Sequence, residues 1–175
     1  MSIAGISSIV GMVVGLLIAV VIIKLCNKNG KFKTEYDERQ EAIRGRGFKY
    51  GLYSAWVMLG IYMALEIGEV DLHMETAFVL FTILIISLMI QTSHAIWNDA
   101  YFGNNNATKK YAVTFIILTL LNLLLSIMFG RRHQIYVDGV ITVKAVNLEC
   151  ALIFMIMGVE FVIKDLISRD DSEEE

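Results

Sequence analysis

Five long apolar stretches separated by polar loops dominate the pattern of this chain. Each is close to the roughly 17–25 residues that an α-helix needs to cross the hydrocarbon core of a bilayer. Transmembrane β-strands would be about half as long and would alternate polar with apolar residues. Because a backbone in hydrocarbon must pair its own amides, we predict five transmembrane helices. They are Ile3–Leu25, Gly51–Ile67, Ala77–Ile96, Ala112–Phe129 and Val146–Ile163.

The composition agrees with an all-α, polytopic transmembrane bundle. Of 175 residues, 56% are hydrophobic, the mean hydropathy is +0.60 and proline is absent. Soluble domains are about 45–50% apolar. We divide the chain into an N-terminal transmembrane anchor (1–25), a polar segment (26–50), a four-helix transmembrane unit (51–165) and an acidic tail (166–175). The tail is expected to be disordered, because nearly all of its last six residues are acids.

The polar segment predicts one amphipathic helix lying in the membrane interface. Thr34 is the expected N-cap, with Asp37 three residues later. Acids come first and bases last, in the order that complements a helix dipole. Gly45 and Gly47 weaken a helix and would let the chain bend into the second span. The segment is either a charged connector that only sets topology, or a docking site for a cytosolic protein or for anionic lipid.

Positive charge predicts the orientation in the membrane. Eight of the 15 Lys and Arg residues lie between Lys24 and Lys49, and none precedes the first span. By the positive-inside rule the N-terminus is outside and the C-terminus cytosolic. The first span is then a reverse anchor and not a signal peptide. The loop 130–145 disagrees, since it carries three bases on the predicted outer side.

That same outer loop has the sequence of a β-hairpin. Two β-prone runs, 134–137 and 140–143, flank the dipeptide Asp138-Gly139. Asp-Gly between such runs is a strong signal for a two-residue hairpin turn. We predict a small hairpin here, with an irregular loop around one tight turn as the alternative.

Three motifs carry a resemblance to a known family. They are Asp37-Glu38-Arg39-Gln40, Arg44-Gly45-Arg46-Gly47-Phe48-Lys49-Tyr50-Gly51 and Trp97-Asn98-Asp99-Ala100-Tyr101-Phe102. In this order they resemble an uncharacterised family of small multi-pass membrane proteins of Gram-positive bacteria. The resemblance implies a bacterial cytoplasmic membrane protein with a four-helix unit after its first anchor. It supplies no activity. Similar families are often encoded beside small regulators, which favours a regulatory role.

The first span carries a stripe of small residues centred on Gly11 and Gly15. Small residues four apart let transmembrane helices approach closely. The stripe predicts packing either within the chain's own bundle or between two copies in a homodimer.

Among the polar residues inside the other spans, we single out Glu66, His94, Asn122 and Glu160. Ionisable groups inside a membrane are expensive and are candidates for function. They could form a proton or ion path, if they face one another. The structural alternatives are a local pair of Glu160 with Lys164 and a cross-helix hydrogen bond from Asn122. A further hypothesis pairs Asp99 with Arg39 or Arg44, which would dock the polar segment under the third span.

The sequence thus favours a non-enzymatic integral membrane protein that regulates or tethers. No nucleophile–base arrangement, phosphate loop or metal spacing is present in the sequence, so we expect no enzyme, cofactor or metal. Expected partners are membrane lipid and a cytosolic regulatory protein, and no direct nucleic acid. The alternative is a small transporter or an immunity-type protein that uses the intramembrane acids. The expected partner-binding or structural motif residues are Asp37, Glu38, Arg39, Gln40, Arg44, Arg46, Trp97, Asp99 and Tyr101.

Overall fold

The computed structural model describes residues 36–101 and 108–173, together with residues 14, 17, 18, 20 and 21. The five isolated positions are helical and exposed. Gly11, Gly15 and most of the first predicted span lie outside the described residues. Residues from Tyr36 onward form one compact unit.

The described part of that unit contains four long helices and one small hairpin. The helices are α1 (Glu38–Ile67), α2 (Thr76–Trp97), α3 (Thr108–Arg131) and α4 (Val146–Glu173). Between α3 and α4 lie β1 (Tyr136–Val137), β2 (Val140–Ile141) and a 3-10 helix (Val143–Ala145).

The main packing contacts place the helices in the order α1, α2, α4, α3. Neighbours α1 and α2 run antiparallel, since Gly51 lies against Ser87 and the earlier Gly47 against the later His94. We call the end of the bundle that contains the loops 68–75 and 132–145 the hairpin end. The opposite end contains residues 36–43 and 98–101, and we call it the Asp99 end. In contrast to α1 and α2, α2 and α4 run parallel, because both begin at the hairpin end.

The outer surfaces of the four helices expose more apolar side chain than is usual for a soluble protein. Residues such as Val57, Leu88, Ile116 and Leu120 are each more than half exposed. Large exposed apolar patches on soluble monomers are rare. Four helical stretches, the last of which includes the 3-10 helix before α4, are long and apolar enough to cross a membrane: Glu38–Ile67, Thr76–Trp97, Val113–Arg131 and Val143–Ile167. The last four predicted spans therefore correspond to observed helices.

Within the described residues, the polar segment (26–50) does not form a helix of its own. Its described part belongs to α1, which continues without interruption through Gly45 and Gly47 to Ile67. The predicted change from an interfacial helix to a separate span at the two glycines is therefore not observed. Asp37 is the N-cap in place of Thr34, because Asp37 and Gln40 cap each other's backbone amides in a capping box. At about 1.5 Å per residue, the 30 residues of α1 span about 45 Å, longer than the hydrocarbon core alone requires.

The predicted hairpin is confirmed. Tyr136 pairs with Ile141 and Val137 with Val140 in antiparallel register. Asp138 and Gly139 both have positive φ, 49° and 84°, as a two-residue turn between twisted strands requires.

The hairpin is also tied to the loop between α1 and α2. Ile141 donates its amide to the His73 carbonyl and accepts from the Glu75 amide, both at 2.8 Å. A carboxylate oxygen of Glu75 accepts a hydrogen bond from the Val143 amide at 2.6 Å. An isolated hairpin is marginal in water, and these additional partners explain why this one is ordered.

At the other end of the chain α4 extends to Glu173, so most of the tail predicted to be disordered is helical. The sequence after Gly158 contains neither glycine nor proline.

Candidate functional site

The Asp99 end is organised around a tight turn that stops α2. Asp99 has a φ of 56°, in the left-handed region that aspartate and asparagine tolerate better than most residues. The turn is closed by main-chain hydrogen bonds from Asp99 to Ile96 at 3.2 Å and from Ala100 to Ala95 at 2.9 Å. Ala100 is completely buried. This turn presents the Asp99 carbonyl towards the start of α1.

Gln40 joins the start of α1 to that turn. Its side-chain amide donates to the Asp99 carbonyl at 3.0 Å, while its side-chain oxygen accepts from the Asp37 amide at 3.3 Å. Asp37 in turn accepts from the Gln40 amide at 2.6 Å. Gln40 and Ile43, one turn later, are both buried. One side chain therefore caps α1 and fixes it to the end of α2.

Two aromatic contacts add to this junction. The Tyr36 hydroxyl donates to the Tyr101 carbonyl at 3.4 Å. The Arg44 guanidinium lies 4.0 Å from the centre of the Tyr36 ring, a cation–π geometry. The motifs at 37–40 and 97–102 are thus in contact, with 59 residues separating Gln40 from Asp99.

The middle motif supplies the close contact between α1 and α2. A Cβ at Gly51 would lie 2.8 Å from the Ser87 carbonyl oxygen, and one at Gly47 would lie 3.1 Å from the Gln91 carbonyl oxygen. Ser87 donates its hydroxyl to the Gly51 carbonyl at 2.6 Å. These glycines are needed for helix approach and not for a bend, which is the use of small residues expected between membrane helices.

The ion pair at Asp99 differs from the predicted one. Asp99 Oδ2 lies 3.1 Å from Lys164 Nζ on α4. Among the described residues it forms no ion pair with Arg39 or Arg44, so that hypothesis was wrong about the partner. The polar segment does dock under α2, but through the amide of Gln40. Among the described residues Lys164 forms no ion pair with Glu160, so the predicted local pair is not observed either.

The four intramembrane polar residues are not assembled into one path by the contacts of the described residues. Glu66 is exposed near the hairpin end and accepts a hydrogen bond from Tyr62 on its own helix. Asn122 donates at 2.9 Å to the Leu118 carbonyl, also on its own helix. The predicted cross-helix bond from Asn122 is therefore not the one observed.

His94 and Glu160 lie closer to the Asp99 end. The His94 ring packs edge-on against Tyr50, with centroids 5.0 Å apart, and Asn98 donates to the His94 carbonyl at 2.8 Å. Glu160 has a buried oxygen, Oε2, with no hydrogen-bond partner. Trp97 is the last residue of α2 and is 43% exposed.

Sequence reasoning missed Lys164 and Tyr36 as members of this site. Lys164 could have been found, because the predicted topology places it on the same membrane side as Asp99. Tyr36 carries no sequence signal beyond its position before the Asp37 cap. Thr82 on α2, which donates to Glu149 on α4 at 3.1 Å, was also missed.

Outside the junction, the first turns of α1 present charges to the surroundings. Glu38, Arg39, Glu41 and Arg46 are all exposed. Within the described part of the chain none of them forms an ion pair. The same residues include no group of three or more His, Cys, Asp or Glu side chains that could hold a metal ion. The backbone behind these exposed charges is fixed to the end of α2 by the Gln40 side chain.

Four membrane-length apolar helices in a packed bundle define a multi-pass helical membrane protein, and a membrane location follows. Comparisons with known protein families, curated proteins and solved structures found no match. The resemblance to a family of Gram-positive membrane proteins therefore stays a prediction from the three motifs.

Proposed function

We propose that this protein is a non-enzymatic membrane tether or regulator that binds a cytosolic partner protein through the start of α1. The binding surface consists of Glu38, Arg39, Glu41 and Arg46. The Asp99–Tyr101 turn supports it from behind. The observation that carries the proposal is the Gln40–Asp99 hydrogen bond, which fixes this charged helix end to the bundle.

Rigidity and unused charge together support a binding role. A charged connector that only sets topology needs neither a capping box nor a specific contact with another helix. Here both are present, and the exposed charges are left without intramolecular ion pairs in the described residues. A preorganised surface loses less entropy when it binds a partner.

The proposal includes a topology. With the N-terminus outside, a fifth span at Ile3–Leu25 and a bacterial cytoplasmic membrane, the Asp99 end faces the cytosol, as does the C-terminus. The charge bias towards the segment 24–49 supports this orientation. Exposed Tyr53 and Trp56, one and two turns after Lys49, would then lie at the depth of the inner headgroups, where aromatic anchors are common. Homodimerisation through Gly11 and Gly15 remains part of the proposal.

Orientation can be tested with single cysteines in a variant lacking Cys26 and Cys150. A membrane-impermeant thiol reagent applied to intact cells should label Arg132→Cys at the hairpin end and leave Arg46→Cys unlabelled. Permeabilised cells should show both labelled. The reverse pattern in intact cells would place the proposed binding surface outside and rule out a cytosolic partner.

Partner binding can be tested by charge reversal at two ends of the same protein. The double variant Arg39→Glu/Arg46→Glu should lose a partner that co-purifies in a fixed ratio with the wild type. The matched control, Arg131→Glu/Arg132→Glu, reverses the same number of exposed charges at the hairpin end and should retain the partner. Equal retention by both variants would refute a binding surface at the start of α1.

A second candidate function, a small transporter or immunity-type protein, is favoured by one observation. Glu160 lies within the span Val143–Ile167 and leaves a buried oxygen without a partner. Neutral substitution of Glu160 that abolishes a cellular activity, with no effect of charge reversal at Arg39 and Arg46, would favour this candidate over the tether.

A further inference from the structure

Three buried side-chain atoms in the described residues have no hydrogen-bond partner: Ser93 Oγ, His94 Nε2 and Glu160 Oε2. Buried polar groups in folded proteins are almost always paired, so each exception needs an explanation. All three lie on α2 or α4, in the half of the bundle nearer the Asp99 end.

The register of α2 against α4 places Glu160 opposite Ser93. Nearer the hairpin end, Thr82 donates to Glu149 across the same interface. Ser93 follows Thr82 by eleven residues, and Glu160 follows Glu149 by the same number. Eleven residues are about three turns of an α-helix. Both helices run in the same direction. Ser93 and Glu160 should therefore lie at equal heights along the bundle, on the same helix faces as Thr82 and Glu149.

The two hydroxyl–carboxyl pairs differ in one respect. Glu149 is satisfied by Thr82 at 3.1 Å. Ser93 and Glu160 form no hydrogen bond with each other through Ser93 Oγ or Glu160 Oε2, and both of these oxygens are buried without a partner. Ser93 Oγ and Glu160 Oε2 can therefore still bind a ligand, whereas the Thr82 hydroxyl and the Glu149 carboxylate already bind each other.

Among the described residues, no charged neighbour forms an ion pair with Glu160. Lys164, one turn beyond Glu160, is engaged by Asp99. On α2 the nearest titratable groups are His94 and Asp99, and on α4 they are Lys164 and Asp165. Between Val113 and Gly130, the side chains of α3 include no titratable group. Glu160 is thus a carboxyl group inside a membrane span with no cation paired to it in the described structure.

We propose that Glu160 and Ser93 form a binding site for a small cation, either a proton or an alkali metal ion. The carboxyl oxygen of Glu160 and the hydroxyl oxygen of Ser93 are the hard ligands that such ions take. The Asp99–Lys164 ion pair lies at the Asp99 end, one helical turn beyond Glu160 on α4. This site does not depend on the tethering function, because none of its groups belongs to the exposed surface of α1.

The test uses dicyclohexylcarbodiimide, an apolar reagent that modifies carboxyl groups in membrane interiors when they carry a proton. The purified full chain in detergent is treated at neutral pH and the modified residues are identified by mass spectrometry. We expect several-fold more modification at Glu160 than at Glu149, which lies on the same face of α4 but is occupied by Thr82. In Glu149→Gln, modification of Glu160 should be unchanged, and Glu160→Gln should abolish it.

The ion is identified by competition at constant pH. Replacing an organic cation by Na⁺ at equal ionic strength should reduce modification of Glu160 several-fold if the site takes a metal ion, and should leave it unchanged if the site takes a proton. Absence of modification at Glu160, or equal modification at Glu160 and Glu149, would overturn the proposal. The wild-type result decides this even where Glu160→Gln fails to fold.

Discussion

The two ends of the bundle are held together by different chemistry. At the hairpin end, main-chain hydrogen bonds link Ile141 to His73 and Glu75. At the Asp99 end, the corresponding links are made by side chains, from Gln40 to the Asp99 carbonyl and from Lys164 to the Asp99 carboxylate. A main-chain link survives most substitutions, whereas a side-chain link is lost with one residue. We therefore expect the Asp99 end to tolerate fewer substitutions than the hairpin end.

The largest expected effect is at the close approach of α1 and α2. Gly51→Ala should destabilise the protein by about 1–3 kcal/mol, because the added Cβ would meet the Ser87 carbonyl oxygen and overpacking forces the helices apart. Gly60→Ala, in the same helix, has no atom within 4 Å of the added Cβ and should be neutral or stabilising. Thermal unfolding in detergent measures both. Equal melting temperatures for the two variants would show that the close approach is not needed.

Next comes the junction itself. Gln40→Ala should cost about 1–2 kcal/mol, since it removes half of the capping box and the hydrogen bond to the buried turn. Hydrogen exchange should accelerate in the first turn of α1 and at the Asp99 turn together. Glu41→Ala, exposed in the same turn, is the control and should change neither. Faster exchange in α1 alone would mean that the two elements are not coupled.

A smaller effect is expected at the hairpin end. Glu75→Ala removes the acceptor for the Val143 amide and should cost about 0.5–1.5 kcal/mol, while the main-chain hydrogen bonds to Ile141 remain. Hydrogen exchange at Ile141 should stay slow. Loss of that protection would show that the hairpin end also depends on a single side chain, which would remove the contrast between the two ends.

The smallest effects concern the ion pair. Asp99→Asn should cost about 0–1 kcal/mol, because the pair is partly exposed and asparagine keeps the left-handed turn. Asp99→Ala should cost about 1 kcal/mol more through backbone strain at positive φ. The difference between the two variants in thermal unfolding should persist in high salt. A difference that vanishes in salt would assign the effect to charge and not to the turn.

Much of the fold could be predicted from the sequence because hydrocarbon imposes simple rules. Length and hydropathy identified all four described membrane-length helices, and Asp138-Gly139 identified the hairpin. The separate interfacial helix and the bend predicted at Gly45 and Gly47 are not observed, since α1 runs through both without interruption. Helix propensity measured in water does not show that Gly47 is needed for contact with another helix. Asp37 and Gln40 are a recognisable capping pair that the choice of Thr34 overlooked.

The candidate site was predictable as a set of residues and not as a set of contacts. Gln40 and Asp99 were both singled out, but Arg39 or Arg44 was predicted as the partner of Asp99 because their motifs lie on the same predicted side of the membrane. The structure pairs Asp99 with Lys164 and gives its carbonyl to Gln40. Which side chains meet depends on rotation about each helix axis, and a hydropathy pattern that is apolar on nearly every side does not define that rotation.

By itself, then, the sequence determined that the chain is a multi-pass helical bundle, since only a helix satisfies its backbone in hydrocarbon over such lengths. Tertiary structure alone decided that α2 runs beside α4 in register. That register joins Thr82 to Glu149, whereas Ser93 Oγ and Glu160 Oε2, each eleven residues further along its helix, have no hydrogen-bond partner. The physical reason is that burial in lipid is indifferent to which apolar face points inward, whereas packing between helices is not.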